Sequence, residues 1–148
     1  MSPAQSQRAQ ERLALLTYVK LMRAANAARN YAARSLGGDL TITQFAVLEA
    51  VYHLGPMSLS DIAQKVLTTG GNLTMVVGNL EKQGFVRRQQ PPEDKRVQVV
   101  VLTGKGKTLI RQVFPQHAAA IAEYLSILGP EEQTQLGELC RKLGKRGV

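Results

Sequence analysis

Two short stretches of this chain carry side chains suited to gripping a polyanion. The first runs from Asn72 to Lys82, where Leu73, Val76, Val77 and Leu80 recur at helical spacing and must turn inward. The opposite side then shows Gly71, Met75, Gly78 and Lys82, flanked by Asn72, Thr74 and Asn79. A helix about 10–12 Å wide fits a DNA major groove, where each base pair offers its own pattern of donors and acceptors. No acidic residue lies near the outward N-terminal half of this helix. Its first turn also offers unpaired N–H groups and the positive end of the helix dipole to a phosphate.

The second stretch is Pro91-Pro92-Glu93-Asp94-Lys95-Arg96, set between two β-rich runs, Phe85 to Gln90 and Val97 to Leu102. Such a pattern reads as a hairpin. Lys95 and Arg96 sit at or near its tip, on a base stiffened by the two prolines. A rigid tip that projects an arginine suits a narrow, electronegative minor groove. Asp94 is close enough to orient Arg96 through a charge-assisted bond. Arg87 and Arg88, in the first run, read either as an ordinary solvated strand or as phosphate contacts. The charge balance agrees with a polyanionic partner. The net charge is +8, and residues 57–111 hold nine basic side chains against four acidic ones.

Other chemistry finds no support in the residues. His53 and His117 are far apart and in no metal-spaced motif. The single cysteine, Cys140, can form neither an intrachain disulfide nor, alone, a zinc site. Gly70-Gly71 lacks the Gly-Lys-Ser/Thr that would make a phosphate loop. With no nucleophile–base pair, paired carboxylates or metal-ligand set, the chain reads as a non-enzyme without a cofactor.

The elements that must position these side chains are legible from periodicity and breakers. Residues 10–36 lack Pro and Gly and form one long helix, ended by Gly37-Gly38. Thr43 is expected to cap a second helix, Gln44 to Leu54, stopped by Gly55-Pro56. Ser58 or Ser60 opens a short helix carrying Leu59, Ile62, Ala63 and Val66, with Asp61 three residues after Ser58 as in a capping box. Thr69 is the expected cap of the helix from Asn72, and Gly84 its stop. Beyond the hairpin, Thr103 caps a long helix, Gly104 to Ile127, with Pro115 kinking it or near its start. A last helix after Gly129-Pro130 carries Leu136, Leu139, Cys140 and Leu143 on one face, and Cys140 is expected to be a buried interface residue. A short helix, a tight turn and a second helix make a helix-turn-helix.

The runs Leu59–Ala63, Asn72–Val86, Pro92–Arg96 and Val101–Gly106 resemble the MarR family of bacterial regulators, in order and over nearly the whole length. The Asp94/Arg96 wing followed by Leu102-Thr103 and Gly106 is the most specific part. The resemblance implies a dimer joined by its N- and C-terminal helices, with an inducer cleft between those helices and the DNA-binding lobe. It puts Asn72, Thr74 and Met75, with Thr68 and Thr69 just before them, and Arg96 of the wing at DNA. Many members carry a basic residue where Met75 and Gly78 stand here, which implies weaker base readout or more reliance on DNA shape. Tyr18, Tyr31, Tyr52 and His53 are the residues expected to line the cleft, and phenolic or other aromatic acids are common inducers in the family. His53 and His117 read otherwise as structural or exposed.

The expected architecture is mainly α with a small β-hairpin wing (α+β). Residues 1–40 form an N-terminal dimerisation helix, residues 41–103 a winged helix-turn-helix lobe, and residues 104–148 the C-terminal dimerisation helices. The expected function is that of a ligand-responsive repressor that binds a roughly palindromic DNA operator as a homodimer. The alternative is a winged-helix protein-interaction module without DNA readout. The polar N-terminus has no secretory signal and no stretch is apolar enough for a membrane span, so the expected location is the cytoplasm.

Overall fold

The computed structural model describes residues 2–38, 40–66 and 70–147. The chain divides into two compact units, Met1–Ala32 with Ile121–Val148, and Ala33–Ala120. Among the described residues, no helix is long and apolar enough to cross a membrane.

The first unit is built on helix α1 (Pro3–Arg34) and helix α6 (Pro130–Gly144). Helix α1 starts seven residues before the expected point because Ser2 and Gln5 cap it reciprocally. The Ser2 N–H donates to Gln5 Oε1 at 2.9 Å and the Gln5 N–H to Ser2 Oγ at 3.3 Å, with Pro3 following at the first helical position. The helix gives way to Gly37 and Gly38, both at positive φ. In α6, Glu131 and Glu132 stand in the first turn and Arg141 and Lys142 in the last, each matching the local sign of the helix dipole. Leu136, Leu139 and Leu143 are exposed. Cys140 is exposed in the single chain as well, on the same helix as these leucines.

The second unit holds α2 (Ile42–Leu54), β1 (Met57–Ser58), α3 (Leu59–Lys65), α4 (Gly70–Lys82), β2 (Val86–Gln89), β3 (Val99–Leu102) and most of α5 (Gly104–Leu125). The cap of α2 is Thr41, not Thr43. Gln44 donates its N–H to Thr41 Oγ1 at 3.1 Å, and its side chain accepts the Thr41 N–H at 2.9 Å. A Thr-x-x-Gln box satisfies two end donors at once, which a lone threonine at 43 could not do. At α3, Ser58 is the cap, accepting the Asp61 N–H at 3.1 Å. Pro115 lies inside α5, which continues through it to Leu125.

The hairpin strands are shorter than expected, and a third strand joins them. The sheet order is β1-β3-β2, all antiparallel, with Met57 opposite Val100 and Val86 opposite Leu102. β1 has only two residues, too few to show an alternating pattern in the sequence. Around this sheet, α2, α3, α4 and α5 enclose one core. Phe45, Leu48, Ile62, Leu73, Leu80 and Ile110 are its largest fully buried side chains. Each such side chain contributes about 1.5–3 kcal/mol through removal from water.

Candidate nucleic-acid interface

Helix α4 is anchored by the expected stripe. Leu73, Val77 and Leu80 are almost fully buried and Val76 nearly so. The opposite side is left to solvent. Asn72, Thr74, Asn79 and Lys82 are exposed, Met75 keeps 61% of its surface, and Gly78 adds no bulk. Thr68 and Thr69 lie outside the described residues. The one carboxylate of α4, Glu81, is engaged by the sheet: it accepts the Arg88 backbone N–H at 3.2 Å. Its charge is thereby held toward β2, at the far end from the helix N-terminus.

The C-terminal end of α4 is tightly defined. Gly84 sits at φ 78°, its N–H donating to the Glu81 carbonyl at 3.0 Å while Phe85 N–H reaches the Leu80 carbonyl at 3.0 Å. This paired closure is a Schellman turn, and it needs a residue tolerant of positive φ. Two further carbonyls are taken up from the start of α5. Lys105 Nζ donates to the Gln83 carbonyl at 2.7 Å, and Thr103 Oγ1 donates to the Gly84 carbonyl at 2.6 Å. The Thr103 hydroxyl in turn accepts the Gly106 N–H at 3.1 Å, which makes it the cap of α5 as its sequence position suggested.

Between β2 and β3 the wing loop is closed by its own bonds. The Asp94 N–H donates to the Pro91 carbonyl and the Val97 N–H to the Asp94 carbonyl, each at 3.3 Å. Asp94 Oδ1 accepts both the Arg96 N–H, at 3.0 Å, and Arg96 Nε, at 3.1 Å. The Arg96 side chain is 91% exposed. Because the ion pair uses Nε, the two terminal NH₂ groups of the guanidinium remain outside it. The same contact holds the Asp94 carboxyl below the ordinary carboxylate range, chiefly through the Arg96 side chain and then through its backbone N–H. Lys95 is exposed beside it.

The two strand arginines differ. Arg87 is exposed, whereas Arg88 is half-buried, on the same side of β2 as the core residue Val86. Its Nε is buried without a hydrogen-bond partner among the described residues. Strand alternation could have separated these two, had the register been fixed.

The four residues expected to meet an inducer fall in both units. Tyr18 and Tyr31 belong to the first, where Tyr18 is exposed and Tyr31 packs its ring 5.0 Å from that of Tyr124. Tyr52 and His53 belong to the second, in an aromatic group with Phe114. The Tyr52 hydroxyl accepts a hydrogen bond from Arg111 Nε at 3.3 Å, a partner sequence reading missed because 59 residues separate the two. His117 packs on Phe45 with ring centroids 4.3 Å apart and lies 3.1 Å from the Ser35 hydroxyl through Nδ1. Among the described residues, no group of three His, Cys, Asp or Glu is arranged to hold a metal.

Comparison with known proteins agrees with this geometry. A sequence model of the MarR family matches residues 40–98, from just ahead of α2 into the wing. The HTH-type transcriptional regulator MhqR of Bacillus subtilis is 40% identical over 105 residues, 71% of this chain and 72% of its own length. The HTH-type transcriptional regulator YkoM of the same organism is 44% identical over 102 residues, 69% of this chain and 66% of its own length, slightly under two thirds. Among solved structures, the MarR family regulator Sco3205 of Streptomyces coelicolor, in complex with DNA, superposes with a TM-score of 0.82 at 27% identity, covering 90% of each chain. Bordetella bronchiseptica BpsR, whose DNA binding is regulated by 6-hydroxynicotinic acid, superposes with a TM-score of 0.78 at 25% identity, covering 84% of this chain and 89% of its own. With its helix-turn-helix, its arginine-tipped wing and these relatives, the chain belongs to the MarR family of transcriptional regulators and is a DNA-binding regulator rather than an enzyme.

Proposed function

We propose that the protein is a ligand-responsive repressor that binds a roughly palindromic operator as a homodimer. The observation that carries the DNA-contact part is the pairing of the acid-free, outward N-terminal half of α4 with an Asp94-tethered, solvent-exposed Arg96. In this reading Asn72, Thr74 and Met75 face the major groove, with Thr68 and Thr69 at its edge. Arg96 enters the flanking minor groove, with Lys95 and Arg87 near phosphates. The half-buried Arg88 is the least suited of the strand residues to that role. Gly78 and Met75 give a smooth, uncharged surface, so sequence preference rests on van der Waals contact and DNA shape as well as on hydrogen bonds.

Dimerisation is supported by the exposed apolar side chains of the terminal helices. Leu13 and Leu16 on α1 and Leu139 and Leu143 on α6 each keep half or more of their surface in water. Such a concentration of leucine on a monomer marks an interface. Cys140 lies among them on α6 and would be covered with them. In this reading residues 1–40 and 104–148 serve dimerisation and residues 41–103 contact DNA, with Gly106 and Ile110 at the start of α5 also buried in the core of the second unit.

The ligand response is supported by relationship to BpsR and by the aromatic side chains Tyr18, Tyr31, Tyr52 and His53. A phenolic or aromatic acid that binds one dimer spacing more tightly than another would shift the population away from the DNA-competent form. Three measurements test the whole reading: light scattering for the dimer, a gel shift with the DNA upstream of its own gene, and a thermal-shift screen of aromatic acids. A monomer that ignores every duplex at low ionic strength overturns it.

A further inference from the structure

We infer that Thr103 is a positioning residue for DNA binding, locking the root of the wing to the end of α4 without touching DNA itself. The inference rests on the proposed wing contact with the minor groove. Four chain segments meet at Thr103: the end of α4, the start of β2, the end of β3 and the start of α5. Its N–H donates to the Phe85 carbonyl at 3.1 Å, and its hydroxyl donates to Gly84 and accepts from Gly106. One side chain therefore uses its hydroxyl proton and a lone pair to join both roots of the hairpin to the helix that would read the major groove. Lys105 reinforces the joint, binding the Gln83 carbonyl and standing 4.7 Å over the Phe85 ring. On the other side of the wing, Glu81 holds the Arg88 N–H.

The consequence is geometric. A hairpin fixed only by its strand pairing could swing about its roots, and the tip that bears Arg96 would move furthest. With the Gly84 carbonyl held, the offset between α4 and Arg96 is set before DNA arrives, so ordering the wing costs less on binding.

The test uses a duplex that the full-length protein selects from a random-sequence pool. Methylation protection at guanine N7 reads the major groove, and hydroxyl-radical cleavage reads the minor groove. Thr103→Val keeps the shape and removes the hydroxyl. It is expected to retain the N7 protection and lose the minor-groove protection, matching Arg96→Ala, while Thr103→Ser restores both. Retention of both footprints by Thr103→Val overturns the inference, and so does parallel loss of both, since that is what simple destabilisation produces. If Thr103→Val fails to fold, Lys105→Met, which opens the same joint by releasing the Gln83 carbonyl and the Phe85 ring, is held to the same two outcomes. An Arg96→Ala variant with an unchanged minor-groove pattern refutes the wing contact itself, and this inference with it.

Discussion

Asp94 grips Arg96 twice through a single carboxylate oxygen, Oδ1, which accepts the backbone N–H at 3.0 Å and Nε at 3.1 Å. The arrangement spans only two residues, so it closes a turn and orients a cation at once. Most of the guanidinium stays in water. Such an exposed pair adds little to stability. Its value lies in holding the arginine at one angle before a duplex arrives.

Arg96→Ala is therefore expected to leave the unfolding midpoint nearly unchanged and to weaken DNA binding. The plot of log affinity against log salt should become shallower by about one ion. Titrations of the selected duplex across a salt series check this, and parallel slopes for variant and wild type would rule out the contact.

The Asp94 carboxyl predicts the pH behaviour of the wing. Its folded value is depressed by Arg96, so what it contributes is fully present above the ordinary carboxylate range and is lost as pH falls through the depressed value. Between pH 8 and pH 5, the Arg96 Nε–H resonance should not titrate with Asp94. Asp94→Asn should abolish the acid-limb change while keeping the wing loop's Pro91–Asp94 turn. A midpoint above the usual aspartate value would contradict the pairing.

The helical half of the second unit was readable because burial and period coincide. Leu73, Val76, Val77 and Leu80 are apolar at helical spacing and have one physical reason to be so, which is the core. Gly84 was readable as a stop because a positive φ there is cheap for glycine alone. What escaped had no local signal. β1 exists only because Met57 and Ser58 lie beside Val100 and Val99, a pairing made by the tertiary fold. The Tyr52–Arg111 bond, the Glu81–Arg88 bond and the Thr103–Gly84 bond join residues whose proximity follows from the chain path rather than from spacing.

The choice between Thr41 and Thr43 shows how near such misreadings lie. Both are threonines ahead of an apolar run, and only the reciprocal bond with Gln44 separates them. Thr41→Ala should cost about 0.5–2 kcal/mol, the usual loss of a capping side chain, and Thr43→Ala much less. Urea unfolding of the two variants checks the order, and an equal or reversed cost would return the cap to position 43.

Gly106 separates a conformational reason for glycine from a steric one. A Cβ at this position would collide with the Phe85 carbonyl oxygen and crowd Leu102 Cδ2 at 3.1 Å. The obstructing atom is backbone, and Thr103 N–H already holds it at 3.1 Å, so it cannot give way without opening the joint between β2 and α5. Gly106→Ala should thus lose about 1–3 kcal/mol or more through overpacking. The matched control is Gly78→Ala on α4, where an added Cβ meets nothing within 4 Å. There the helix should gain about 0.5–1 kcal/mol from reduced chain entropy. Opposite signs in urea unfolding are the expected result. A neutral Gly106→Ala would mean that the junction relaxes freely, in which case it could not hold the wing at a fixed angle to α4.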